Sequence, residues 1–167
     1  YKGLDLLLEA LGEELLKDKN IKLIIAGEYY DDKSFYRNII KKHSLENQVI
    51  ETDGFVSTED VSLYFSACDL VVQPYRTATQ SGVTQIAYHF DKPMIVTNVG
   101  GLEEMCPNEK VGYVVTPESK EIASAILRFY EDTDKEKMRQ NIIEEKKKYS
   151  WRILTNNIYS LFSNIKA

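Results

Sequence analysis

The chain has 167 residues, room for one domain with a sizeable core and no need of a disulfide or metal staple. With 26 acids against 21 bases its net charge is −5, which argues against a dedicated nucleic-acid binder. Two cysteines, Cys68 and Cys106, stand in no metal or redox spacing and read as small apolar fillers in a reducing compartment; no apolar run reaches the roughly 18 residues of a membrane span, and no signal peptide is visible.

In chain order, strand and helix signals alternate. The chain opens almost directly in an amphipathic helix, without an initial Met, as a piece of a longer chain would. Leu6, Leu7, Leu8, Leu11, Leu15 and Leu16 suit its buried stripe. KLIIAG (22–27) is a short apolar run ending in Gly, as a buried strand would. Phe35, Ile39 and Ile40 mark a helix ending near His43-Ser44. QVIETDGFV (48–56) reads as a strand and a Gly turn. Ser57-Thr58-Glu59-Asp60 starts a helix, continued by Val61, Tyr64, Phe65 and Cys68. DLVVQP (69–74) is the next buried strand, stopped by Pro74. A helix from about Ser81 to Phe90 follows, then strands PMIVT (93–97) and GYVVTP (112–117). Ile122, Ala125, Ile126 and Phe129 give another helix. Met138, Ile142, Ile143, Trp151, Ile153, Leu154 and Ile158 indicate two closing helices. This rhythm predicts a parallel sheet covered by helices on both faces.

In open α/β sheets a ligand sits beyond the carboxyl ends of the strands. Gly27, Gly54, Tyr75, Thr97 and Gly100 all fall just past strand ends. Residues 77–104 carry the densest signal. Ser81-Gly82 open a helix and Gly100-Gly101 follow a strand, so backbone N–H groups can approach a ligand closely at both places. Anionic phosphates sit where such donors and a helix dipole converge. A nucleotide- or phosphate-bearing ligand is expected. No G-x-G-x-x-G follows the first strand, which argues against a generic Rossmann dehydrogenase.

These residues, taken together, resemble the C-terminal, nucleotide-sugar-binding domain of retaining glycosyltransferases with the GT-B fold, the large family 4 group. The pattern of that group has a Lys-Gly before the first helix, matched by Lys2-Gly3. It has a strand ending in Gly (Gly27), a G-x-V turn (Gly54, Val56), and an acid before a strand that ends in Pro (Asp69, Pro74). A G-K-P-V-I-like segment is matched by DKPMIV (91–96), and T-x-x-G-G-x-x-E by Thr97, Gly100, Gly101 and Glu104. No single match is specific, but their shared order runs from YKG to GYVVTP and the helix after it. One departure stands out. Many members carry two glutamates separated by seven residues, one holding the donor sugar and one the nucleotide ribose; here those positions fall on Ala78 and Ile86. Some relatives instead show a T-Q-S-G loop, as in Thr79-Gln80-Ser81-Gly82. Gln80, Gln85 and Glu104 are the candidates to take over.

The resemblance implies a Rossmann-like three-layer α/β/α domain with a parallel sheet, one half of a GT-B fold, over 1–167, the N-terminal acceptor domain lying outside this chain. It implies transfer of a sugar from a nucleotide-diphosphate sugar to a glycan or glycolipid acceptor, with retention, by a hexosyltransferase whose isolated domain is inactive or nearly so. It calls for no cofactor and no metal, the nucleotide sugar being a substrate. It places the protein in the cytoplasm of a bacterium, at the inner face of the plasma membrane, with peripheral membrane association of the full-length protein, and it sets the reaction in surface-polysaccharide synthesis. The donor and phosphate contacts it implies are Gly27, Val56, Thr79, Gln80, Ser81, Gly82, Thr97, Gly100, Gly101 and Glu104, with Lys2 stabilising the leaving diphosphate.

Each has a plainer alternative: an exposed terminal lysine, a helix cap, a tight turn, an acid in a helix first turn. Arg76 reads as an exposed loop arginine or a phosphate ligand, His89 as a packed histidine, and His43 as a helix C-terminal residue. Tyr29-Tyr30 could stack on a ligand or lie on a loop surface. EEKKK (144–148) reads as a solvated helix face, with contact to anionic lipid as the alternative. Two other functions stay open: a non-catalytic GT-B-like partner or scaffold, and a sugar-nucleotide epimerase.

Overall fold

A computed structural model of the chain describes residues 1–30 and 32–165. Helices α1 (Leu4–Leu11), α2 (Lys33–Lys42), α3 (Thr58–Ala67), α4 (Gly82–His89), α5 (Leu102–Met105), α6 (Ser119–Glu131), α7 (Lys135–Glu145) and α8 (Trp151–Ile165) alternate, as far as α6, with strands β1 (Leu23–Gly27), β2 (Val49–Asp53), β3 (Val71–Gln73), β4 (Met94–Thr97) and β5 (Gly112–Val115). The pairings are parallel, in a Rossmann-like α/β/α arrangement. The strands hydrogen-bond in two groups, however, β1 with β2 and β3–β4–β5, where one sheet was expected. Strand β3 pairs over only three residues before Pro74, which has no N–H to donate.

The core lies around β4. All four of its residues are buried, which explains its unbroken apolar run. Helix α6 packs over β4 and β5 with Ile122, Ile126 and Phe129, and α1 packs against α6 and α2 with Leu7, Leu8 and Leu11. The first helix ends at Gly12, earlier than its leucines suggest; Leu15 and Leu16 fall in a separate 3-10 turn. Helix α3 starts where expected, Ser57 Oγ accepting from Asp60 N at 3.1 Å, yet it buries no residue and leaves Leu63 66% exposed. Helix α8 likewise leaves Trp151, Leu154, Ile158, Leu161 and Phe162 exposed.

The segment 144–148 is not wholly solvated. Glu145 is 3% exposed and its carboxylate accepts from Lys110 Nζ at 2.7 Å and from Lys148 Nζ. In DKP, Asp91 takes a left-handed conformation (φ 54°) where the resembling pattern has glycine, and its carboxylate pairs with Lys146. Short polar residues tolerate that region better than most.

Two glycines fix the loops near the carboxyl ends of β3 and β4. Gly3 caps α1 at φ 69°, and a Cβ there would lie 1.9 Å from the Pro74 carbonyl oxygen. Gly100, at φ 54°, would place a Cβ 1.6 Å from the Ala78 carbonyl oxygen. Gly82 differs: a Cβ there meets nothing within 4 Å.

Gly3→Ala and Gly100→Ala are each expected to destabilise by about 2 kcal/mol or more in urea melts, and Gly82→Ala by no more than about 0.5 kcal/mol. The Glu145 carboxyl is held below its ordinary value, chiefly by the hydrogen bond from Lys110 and then by that from Lys148. A depressed carboxyl stabilises the fold above its unfolded value, and that contribution is lost as pH falls through the folded value. Lowering pH from about 6 to about 3 therefore lowers Tm, and Glu145→Gln, compared over the same range, loses part of that dependence.

Candidate functional site

The loop from Pro74 to Ser81 joins β3 to α4 and is fastened on several sides. Arg76 N donates to the Tyr1 carbonyl at 2.8 Å, and Pro74 lies under Gly3. Lys2 is thereby set beside Tyr75, its Nζ 5.3 Å from the Tyr75 ring centroid and 5.8 Å from that of Tyr1. An ammonium over an aromatic face is attracted by the ring quadrupole, which orients an otherwise flexible exposed side chain. Tyr75 itself is buried, and its hydroxyl lies 3.2 Å from Ser81 Oγ. Lys2 and Ser81, far apart in sequence, are thus joined through one tyrosine. The sequence marked Tyr75 only as a residue past a strand end.

Ser81 caps α4. Its Oγ accepts from Val83 N at 3.3 Å and its carbonyl from Thr84 N at 3.2 Å. The Gly82 N–H, at the first helical position, has no carbonyl to meet inside the helix. The glycine corner approaches from the other side, Gly101 N donating to the Thr79 carbonyl at 2.9 Å. Between α4 and α5 lies a cavity of about 190 Å³ lined by Gln80, Ser81, Gly82, Gln85 and Met105. The buried Tyr88 hydroxyl donates to the Met105 carbonyl at 2.7 Å and holds that wall to α4. Among the described residues no ionisable side chain lines the cavity.

The other expected residues are placed as follows. Thr97 is fully buried and its hydroxyl donates to the Tyr75 carbonyl at 2.6 Å, so it fastens the loop. Glu104 is exposed in the first turn of α5 and does not line the cavity. Gly27 ends β1 within the separate two-stranded sheet, and Val56 lies in the loop three residues past the end of β2. Ala78 and Ile86 are half-buried. Arg76 pairs with Asp5 of α1. His89, expected to be packed, is exposed, with its ring edge-on to Phe90.

His43 does stand at the end of α2, with Nε2 2.7 Å from the Glu9 carboxylate. The Glu9 carboxyl is held below its ordinary value by hydrogen bonds from Lys42 first and His43. Tyr29 donates to Glu51 at 2.8 Å, and Tyr30 is exposed. Burial pushes the Cys106 thiol up to about 12, which leaves it inert as a nucleophile. Cys68 is half-buried. Among the described residues no group of three or more His, Cys, Asp or Glu could hold a metal ion. A second cavity, of about 220 Å³, lies along β5 and α6; of its polar lining, Asn108 Oδ1 accepts from Val114 N, Ser124 donates to the Lys120 carbonyl, and Arg128 pairs with Glu109.

Residues 1–149 match the family model described as glycosyl transferases group 1. An uncharacterized glycosyltransferase of Methanocaldococcus jannaschii is 26% identical over 98% of this chain and 45% of its own length. Among solved structures, Anabaena HepE in complex with UDP superposes with a TM-score of 0.83 at 24% identity, over 98% of this chain and 46% of that one. The C-terminal domain of LpcC, a glycosyl transferase group 1 family protein of Francisella tularensis, superposes with a TM-score of 0.79 at 23% identity, over 90% of this chain and 80% of that domain. The chain spans less than half the length of the curated relatives it matches. Its fold is that of one half of a GT-B glycosyltransferase, and by its family match the chain belongs to the glycosyl transferases group 1.

Proposed function

We propose that this chain is the donor-binding half of a glycosyltransferase that takes a nucleotide-diphosphate sugar and delivers the sugar, with retention, to a glycan or glycolipid acceptor held by another segment. The observation that carries the reading is the convergence of Lys2, Tyr75 and Ser81 with the Thr79–Gly101 corner around the start of α4. In the reaction the bond between the anomeric carbon and the diphosphate breaks, the acceptor oxygen bonds that carbon, and the acceptor proton is released. The leaving diphosphate gathers negative charge. Lys2 supplies a compact cation for it, and the Gly82 and Gly100 N–H groups supply dipoles fixed before the reaction starts, while the Gly101 N–H is spent on holding the Thr79 carbonyl. Gly82 leaves open space where a side chain would stand, which suits a phosphate better than it suits packing. Anabaena HepE has been solved with UDP and with UDP-glucose, which makes uridine donors the first to test. The replacement of both common glutamate positions, by Ala78 and Ile86, favours one rival reading, a non-catalytic scaffold of the same fold.

Calorimetric titration with UDP, GDP and their sugars separates the two. Donor binding is expected, weakened about tenfold or more by Lys2→Ala and abolished by Gly82→Asp with Tm little changed. No binding to any nucleotide, by this chain or by a longer polypeptide that carries it, would falsify the donor-site reading and favour the scaffold.

A further inference from the structure

We infer that this chain reads the vicinal hydroxyls of its donor with two neutral carboxamides, Gln80 and Gln85, where the common pattern of the family uses carboxylates; the inference rests on the donor-site reading above. The positions that would carry the glutamates hold Ala78 and Ile86, whose side chains cannot hydrogen-bond. Glu104, the acid that sequence alone allowed as a substitute, does not line the cavity beside α4, whereas Gln80 and Gln85 both do.

The chemistry of the lining narrows the choice further. The Ser81 hydroxyl is already engaged with Val83 N and Tyr75. Gly82 has no side chain, and Met105 offers only a thioether. Gln80 and Gln85 are exposed, and among the described residues neither carboxamide is taken by another protein group. Gln85 lies four residues after the cap Ser81, one helical turn on, so it stands on the same face of α4 as the cap.

A carboxylate only accepts hydrogen bonds, whereas a carboxamide presents an acceptor and two donors side by side. A pair of adjacent hydroxyls can therefore be met in either donor sense. The exchange also has an electrostatic effect. The chain carries a net charge of −5, and a carboxylate beside the diphosphate would add a like charge close to an anionic ligand. Amides bind the hydroxyls without that repulsion. The hydroxyls belong either to the nucleoside ribose or to the transferred sugar, and both present the same chemistry to the cavity.

The test is calorimetric titration with UDP and GDP, their 2′,3′-dideoxy forms, UDP-glucose and GDP-mannose. It compares the unaltered chain with Gln80→Ala and Gln85→Ala; both positions are exposed, and circular dichroism melts confirm that the variants fold. Each substitution is expected to weaken binding by about five- to tenfold. If the hydroxyls are the ribose's, the dideoxy nucleotides lose the same factor on the unaltered chain and lose nothing further on the variants. If they are the donor sugar's, the deficit appears with the sugar nucleotides and not with UDP or GDP; either pattern supports the inference. Variants that keep every affinity within about twofold, while the unaltered chain binds, overturn it and leave the donor site standing. An unaltered chain that binds no nucleotide overturns the donor-site reading, and this inference with it.

Discussion

The segment between Pro74 and Gly82 is fastened along its length by the rest of the fold, and the candidate site depends on the path this gives it. Gly3 admits the Pro74 carbonyl where any side chain would collide with it. Thr97 ties down the Tyr75 carbonyl, Arg76 is held to Tyr1 through the backbone, and Gly100 admits the Ala78 carbonyl. These fastenings come from the chain start, from β4 and from the turn after β4. The loop is therefore set by three elements distant in sequence, and α4 is aimed by the loop. Preorganisation of this kind matters where a ligand's charge must be met by fixed dipoles rather than by groups that reorient when it arrives.

The same fastenings sort the polar groups by task. Thr97 and Ser81 spend their hydroxyls on the fold, while Tyr75 spends its ring on Lys2 and its hydroxyl on Ser81. What stays open near the start of α4 is the Lys2 ammonium, the Gly82 backbone and two glutamine side chains. Groups that hold the fold and groups left open to the cavity thus stand side by side in the chain.

Much of this was legible in the sequence. The alternation of strands and helices, the helix starts at Ser57 and Ser81 and the buried run of β4 each follow from local pattern, since caps and apolar runs are local physics. The importance of Gly3 and Gly100 could be suspected from the resemblance, but the carbonyls they admit belong to residues far along the chain. Tyr75 was invisible as a link because its two partners lie 73 residues before it and six after it. Glu145 looked like one more charge in a solvated run, and only the fold brings Lys110 to it. His89 was expected to pack because its sequence neighbours are aromatic, yet it projects from the other side of α4. That Gln80 and Gln85 line the cavity while Glu104 does not could be read only from the folded chain.

Helix α8 leaves Trp151, Leu154, Ile158 and Leu161 largely exposed to solvent. A 15-residue helix draws little stability from backbone propensity alone and takes most of it from packing. Its amides should therefore exchange with solvent deuterium well before those of α6 or β4, and a protease should trim this end first. The remaining core, centred on Ile95, Ile122 and Phe129, would stay folded after the cut.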